Sequence, residues 1–279
     1  METTHPITNP QHTLWNGAAG QAWVDSQQLL DHVFQPFENL LVQSTASARR
    51  VLDVGCGTGA VTLAIARNLA RNGACTGIDI SNPMIETARA RAARENSSAT
   101  FLCADAQTYP FPPATFDTIV SRFGVMFFAD PVQAFANLRH AASPHARLLF
   151  TAFRSPSENP FMTTAERAAA PLLPGIPARR PDAPGQFAFA ARDRVQHILN
   201  DSGWAEIAIQ PIDVACTLPE SELTTYLTRL GPLGLVLANA DEQTRRHVAS
   251  TVRAAFEPYV HGPEVRFTAA CWLVSAKSL

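Results

Sequence analysis

Apolar residues recur in two rhythms along this chain. Trp15, Trp23, Leu29, Leu30, Val33, Phe34, Phe37, Leu40 and Leu41 are spaced near the helical period, with one break at Pro36. A pair of helices is expected there, behind a polar, loose stretch at 1–13. The rhythm then changes. Short, nearly continuous apolar runs occupy 50–54, 75–80, 99–103, 116–120 and 147–153. Helical patterns at 60–71, from Asn82-Pro83 and from Asp130-Pro131 separate them. Continuous apolar runs are what strands buried on both faces of a parallel sheet require. Their alternation with helices predicts an α/β, doubly wound sheet.

Past this core the pattern is less regular. Between 155 and 190 the chain is punctuated by Pro156, Pro160, Pro171, Pro174, Pro177, Pro181 and Pro184, with Phe161, Phe187 and Phe189 as apolar anchors. A long connection following the fifth strand is expected to act as a lid. A helix at 191–202, a strand at 205–212 and helices near 220–230 and 241–256 follow, the last two separated by Gly231-Pro232-Leu233-Gly234. Residues 264–275 alternate as a final strand, with Val265, Phe267, Ala269, Cys271 and Leu273 on one side. Four parts of one catalytic domain result: a helical cap at 1–45, an α/β core at 46–154, a Pro-rich insertion at 155–190 and a C-terminal part at 191–279.

The candidate chemistry lies at the strand ends. Val51-Leu52-Asp53-Val54-Gly55-Cys56-Gly57-Thr58-Gly59 reads as strand, tight turn and helix start. Glycines there let the backbone press against a ligand, and a helix N-terminus suits a polar or anionic group. Gly55, Gly57 and Ala60 satisfy the loose dinucleotide pattern. Asp79, about twenty residues further on, is placed to accept hydrogen bonds from a ribose diol. Neither feature chooses between a nicotinamide dinucleotide and another adenosine ligand.

The longer string, with Asp53 two residues before the first glycine and Gly59 completing the alternate-glycine series, resembles motif I of the class I S-adenosylmethionine-dependent methyltransferases. Asp105-Ala106 after the third strand and Phe116-Asp117 opening the fourth extend the likeness over most of 50–153, and its wider look is of the ubiquinone/menaquinone-methyltransferase-like small-molecule group. Ser143-Pro144-His145-Ala146 departs from that family's usual proline-glycine-glycine turn.

The resemblance implies a mostly parallel seven-stranded sheet with an antiparallel last strand, set between the fifth and sixth, plus N-terminal helices and helical and lid insertions. It implies S-adenosyl-L-methionine as cofactor and S-adenosyl-L-homocysteine as product, held by Asp53, Gly55, Cys56, Gly57, Asp79, Ile80, Met84, Asp105, Ala106 and Arg122. Asp105 is expected to take the adenine amine, and Arg122 to meet the cofactor's amino-acid end through its main chain or a substrate anion through its guanidinium. Trp15 and Trp23 from the cap, Phe123 and Phe127 from the strand edge and Phe161 from the lid are the candidate substrate-binding residues.

Composition narrows the partners. Hydrophobic residues make up 46% and charged residues 16%, enough for a sizeable core and too few charges for a disordered chain. A net charge of -2 predicts no general attraction to nucleic acid or to a membrane. Arg89, Arg91 and Arg94 read as a solvated face, and Lys277 is the single lysine. Cys56, Cys75, Cys103, Cys216 and Cys271 have neither zinc-ligand spacing nor the look of a disulfide framework, so no metal and a cytoplasmic location are expected. The polar start Met1-Glu2-Thr3-Thr4-His5-Pro6 lacks a signal peptide's apolar core.

The expected reaction is direct displacement of a methyl group onto O, N or C of a small, partly aromatic or apolar metabolite, by a monomer or homodimer. Alignment and exclusion of water carry most of such a step. No catalytic residue is assigned; His32, His140 and His247 qualify by chemistry alone. An NAD(P)-dependent oxidoreductase and a non-catalytic cofactor binder of the same fold are the alternatives.

Overall fold

The computed structural model describes residues 10–70, 72–176, 179–180 and 183–279. The cap is four short helices, not a pair: α1 (Pro10–Trp15), α2 (Ala18–Asp25), α3 (Gln27–Val33) and α4 (Gln35–Ser44). Pro36 sits in the first turn of α4, where its missing N–H has no intrahelical partner to lose, so it starts a helix and does not break one. Of the stretch expected to be loose, residues 10–13 belong to α1 and residues 1–9 lie outside the described residues.

Five strands run parallel: β1 (Arg50–Val54), β2 (Ala74–Asp79), β3 (Thr100–Cys103), β4 (Phe116–Arg122) and β5 (Ala142–Phe153). Their crossovers include α5 (Ala60–Asn68), α6 (Asn82–Glu95) and α7 (Pro131–Ala141). After β5 come α8 (Pro160–Ala169), α9 (Arg192–Asp201) and β6 (Ala205–Pro219). Three helices, α10 (Leu223–Arg229), α11 (Gly231–Leu237) and α12 (Glu242–Ala255), precede a two-residue strand β7 (Val260–His261) and the last strand β8 (Glu264–Lys277). The sheet order is β3-β2-β1-β4-β5-β8-β6, with β8 antiparallel to both neighbours. This is the expected sheet with one addition: β7 folds back onto the start of β8 as an eighth, marginal strand.

The two faces explain the apolar runs. Val51, Val120 and Leu149 cluster with Leu41 of α4 and with Val61 and Ile65 of α5. Leu52, Ile119, Leu148 and Phe150 belong to the main core, with Phe135 and Leu138 of α7 and Val195 and Leu199 of α9. Asp117 fixes the pairing of β1 and β4, since its carboxylate accepts from the backbone N–H of Arg49 (3.0 Å) and Arg50 (2.9 Å). The turn expected at Ser143-Pro144-His145-Ala146 is instead the start of β5, where His145 takes φ 63°, the left-handed conformation that glycine adopts without steric cost.

Three expectations are corrected. Gly231-Pro232-Leu233-Gly234 is not a linker: it opens α11, with Pro232 in the first turn. The strand expected to end at 212 continues to Pro219 and pairs with β8 along that length. Arg91 is not on a solvated face: its side chain is 13% exposed and pairs with Asp31 of α3 at 2.8 Å. The same guanidinium donates to the Thr58 carbonyl at 3.0 Å, tying the cap to the glycine loop.

Candidate active site

Strand order reverses between β1 and β4, the place where open parallel sheets bind ligands beyond their C-terminal edge. There Gly55, Gly57 and Gly59 all take left-handed φ, at 66°, 54° and 88°. The loop is held from behind, where the N–H groups of Gly55 and Cys56 both donate to the Ile78 carbonyl, at 2.8 and 3.1 Å. Asp53 is 1% exposed and accepts a 2.6 Å hydrogen bond from Thr62 Oγ1. Burial pushes its carboxyl up to about 6, against the opposing pull of the Thr62 hydroxyl and the Arg122 charge. A Cβ on Gly77 would lie 2.8 Å from both Cys56 Sγ and Thr62 Oγ1, so this support is packed without slack. The side chains of Asp53 and Cys56, two residues expected at the cofactor, lie beneath the loop against Thr62 and Gly77. Burial also pushes the Cys56 thiol well up.

In front of the loop is a cavity of about 890 Å³ lined by Gly55, Gly57, Asp79, Ile80, Met84, Asp105, Ala106 and Arg122, the other eight residues assigned to the cofactor. Asp79 Oδ2 accepts from Gly57 N and Oδ1 from Ser81 N, both at 2.9 Å, so one carboxylate spans the glycine loop and the start of α6. Burial raises the Asp79 carboxyl, and the Ser81 and Gly57 N–H groups oppose that shift. Asp105 Oδ1 accepts from Gln107 N at 2.9 Å, which orients this second carboxylate at the end of β3.

Sequence reasoning missed the clamp over this end. Ser81 Oγ donates to the Trp15 carbonyl (2.7 Å), Asn16 Nδ2 to the Ile80 carbonyl (3.0 Å), and Asn82 N to Asn16 Oδ1 (2.9 Å). The α1–α2 junction is thus fastened beside Asp79. Trp15 and Trp23 both line the cavity, their rings edge-on at 6.0 Å, and Trp15 meets Phe127 edge-on at 5.0 Å.

The fourth wall is the end of β4. Ser121 Oγ donates to the Val54 carbonyl (2.7 Å) and accepts from Gly124 N (3.1 Å), drawing two strand ends together. Phe123 takes φ 64°, a strained conformation for a bulky residue that its neighbours hold in place. It stacks on Phe153 at 4.3 Å and meets Phe34 and Phe37 edge-on, so most of it is core. The Arg122 guanidinium stands 5.7 Å from the Phe34 ring centre, and its buried Nη1 has no hydrogen-bond partner. Burial lowers its pKa, while Asp31, Glu38 and Asp53 supply compensating negative charge.

This frame is similar to that of known proteins. Residues 51–145 match the family model described as a methyltransferase domain. Aklanonic acid methyltransferase DauC of Streptomyces sp. (strain C5) is 33% identical over 138 residues, 47% of this chain and 63% of that protein. Demethylmenaquinone methyltransferase of Thermus thermophilus is 34% identical over 113 residues, 40% of this chain and 51% of that protein. Residues 51–145 are thus similar to a methyltransferase domain.

The match thus spans between half and two thirds of these relatives' lengths. The YcgJ protein of Bacillus subtilis shares the fold, with a TM-score of 0.57 at 17% identity over 88% of this chain and 98% of that one.

The matched residues 51–145 supply the loop, both carboxylates and Arg122; the roof comes from outside them. Phe161 of α8 is stacked on Phe267 at 3.8 Å and ringed by Phe256 and Tyr259, so it anchors the roof more than it forms a free wall. Asn159 pins the start of α8 to β8: its Nδ2 donates to the Ala270 carbonyl and its Oδ1 accepts from Ala270 N, both at 2.9 Å. Tyr226 of α10 lines the cavity, and its hydroxyl reaches Met162 Sδ at 3.8 Å. Arg179 forks onto Glu166 at 2.9 and 2.5 Å. Among the described residues no histidine lines the cavity, and His32, His140 and His247 are exposed. Also among the described residues, no group of three or more His, Cys, Asp or Glu could hold a metal, and no helix is long and apolar enough to cross a membrane.

Proposed function

We propose that this chain is an S-adenosyl-L-methionine-dependent methyltransferase acting on a small apolar or partly aromatic metabolite. One observation carries the reading: Asp79 and Asp105, at the ends of adjacent strands, line one cavity with the glycine loop and the buried, incompletely bonded guanidinium of Arg122. The residues present fit the donor. A Cβ on Gly57 would meet only Met84 Sδ, at 3.7 Å, so the loop leaves room for a ligand against its backbone. Two carboxylates suit an adenosyl diol and amine, and Arg122 suits a carboxylate. When bound, the cofactor supplies an activated methyl on a sulfonium with a good leaving group.

The protein's part is to bind, align and exclude water. Asp79, Asp105, Gly55, Gly57, Ile80, Met84, Ala106 and Arg122 hold the donor in this proposal, with Asp53 and Cys56 supporting the loop from below. Trp15, Trp23, Phe127 and the roof shape the acceptor space, with Phe123 and Phe161 as their backing. The cap, the insertion at 155–190 and the C-terminal helices close a single catalytic domain. With no described histidine in the cavity and Glu166 engaged by Arg179, the site suits a nucleophile that carries no proton when it reacts. The five cysteines are free thiols, which accords with a cytoplasmic location.

Calorimetry with S-adenosylhomocysteine and NAD in parallel tests the assignment. Binding of the homocysteine compound and not of NAD is expected; NAD binding alone would overturn it in favour of an oxidoreductase. Activity is then sought as transfer of isotopically labelled methyl to members of a metabolite panel.

A further inference from the structure

We infer that Tyr226 selects and orients the acceptor by donating its hydroxyl hydrogen to a carbonyl oxygen on an otherwise apolar molecule; this rests on the methyl-transfer reading. Tyr226 of α10 and Met162 of α8 both line the cavity. Among the described residues the Tyr226 hydroxyl makes one hydrogen bond, to Met162 Sδ at 3.8 Å. A thioether sulfur is a weak acceptor, and a buried phenol usually finds a stronger one. The contact therefore leaves a donor that a ligand oxygen can engage better than the protein does. Met162 can give way to it, because an unbranched thioether side chain adapts its shape readily.

Other polar groups of the lining are engaged by the protein itself. Glu166 and Arg179 are paired, and Gln186 Oε1 accepts from Arg179 at 3.4 Å. The helices α8, α10 and α11 also give the cavity Phe161, Leu227 and Leu233. On such a wall a polar group covered by hydrocarbon is costly, so a ligand whose oxygen meets the hydroxyl is favoured. Burial holds the Tyr226 phenol well above its ordinary pKa, so it stays a neutral O–H donor. A neutral donor on an apolar wall suits a carbonyl better than a charged group, whose desolvation one such bond does not offset.

The ring that carries the hydroxyl is braced from the sheet. It lies 5.9 Å from the Phe161 ring, tilted by 45°. Phe161 is buried and stacked on Phe267 of β8 at 3.8 Å, and its helix is pinned to Ala270 by Asn159. On α10 the buried Leu223 and Leu227 join the main core. A donor held on a rigid frame fixes the orientation of a bound molecule as well as its affinity.

The test uses 2-acetylnaphthalene and 2-ethylnaphthalene, which share one apolar body and differ by a carbonyl. Each is titrated by calorimetry into the full chain and into Tyr226→Phe, with and without S-adenosylhomocysteine. The variant should bind the ketone about three- to ten-fold more weakly. Its affinities for the hydrocarbon and for S-adenosylhomocysteine should stay at parental values, which shows the fold intact. In isotope-edited infrared spectra the carbonyl stretch of the bound ketone should move to higher frequency in the variant, as loss of a hydrogen bond requires. An unchanged ketone affinity or stretch, an equal loss for both probes, or no binding of the ketone to the parental chain would overturn the inference. Absence of S-adenosylhomocysteine binding to the parental chain would instead count against the methyl-transfer reading, because the two probes are also compared without it.

Discussion

Gly124 shows how little freedom the strand ends have. Its φ of -76° suits any residue, but an added Cβ would lie 2.6 Å from the Val54 carbonyl oxygen and 2.7 Å from Gly55 Cα. Both neighbours are backbone that Ser121 draws in, so Gly124→Ala should destabilise by about 1–3 kcal/mol, read as a lower urea midpoint. Asp79 is more directly functional. Asp79→Ala removes the acceptor of the Gly57 and Ser81 N–H groups along with the proposed ribose contact. S-adenosylhomocysteine affinity should fall on the order of 10–100-fold by calorimetry; unchanged affinity would remove Asp79 from the site. Asp53 gives a pH signature. Its folded pKa rises from the ordinary 3.8 to about 6, so between those values the native state binds more protons than the unfolded chain. This group's contribution is most favourable below the unfolded value and is lost as pH rises through about 6, a fall on the order of 3 kcal/mol. Asp79 and Glu38 are shifted in the same direction by burial. Urea midpoints across this window should therefore decline less steeply in Asp53→Asn, which keeps an acceptor for Thr62; parallel slopes would contradict the assignment.

At the scale of elements, Asn159 joins the roof to the sheet. Asn159→Ala would leave both polar groups of Ala270 without their side-chain partner in a buried place. A loss of about 2–4 kcal/mol in stability is expected from urea unfolding, with faster proteolysis within 155–190. The parallel strands were legible because burial on both faces writes a continuous apolar run; β1 falls on the residues its pattern predicts, 50–54. The far half of β6 was not legible, because polar residues such as Asp213 and Thr217 interrupt any apolar rhythm there. In α11 the Gly-Pro pair reads as a breaker, although proline suits a first helical turn. Arg91 looked solvated because its partners, Asp31 and Thr58, lie on other elements. The glycine loop and strand-end carboxylates could be read locally. The roof contacts could not, since Asn159 meets a partner 111 residues away.

For the whole molecule, the cap and the C-terminal helices meet over the sheet edge, with α2 against α11 and α8 against α12. The cavity they cover is lined by the glycine loop, Asp79 and Asp105 from the sheet edge and by Tyr226 and Leu233 from the C-terminal helices. Residues 51–145 account for the first set, and the surrounding helices for the second. All of this depends on an adenosyl ligand lying in front of the Gly55–Gly59 loop. A crystal structure of the chain with S-adenosylhomocysteine tests that most directly. The account predicts ribose hydroxyls on Asp79, the adenine amine at Asp105 and the amino-acid carboxylate toward Arg122; a ligand bound elsewhere, or a cleft that stays empty at saturating ligand, would contradict it.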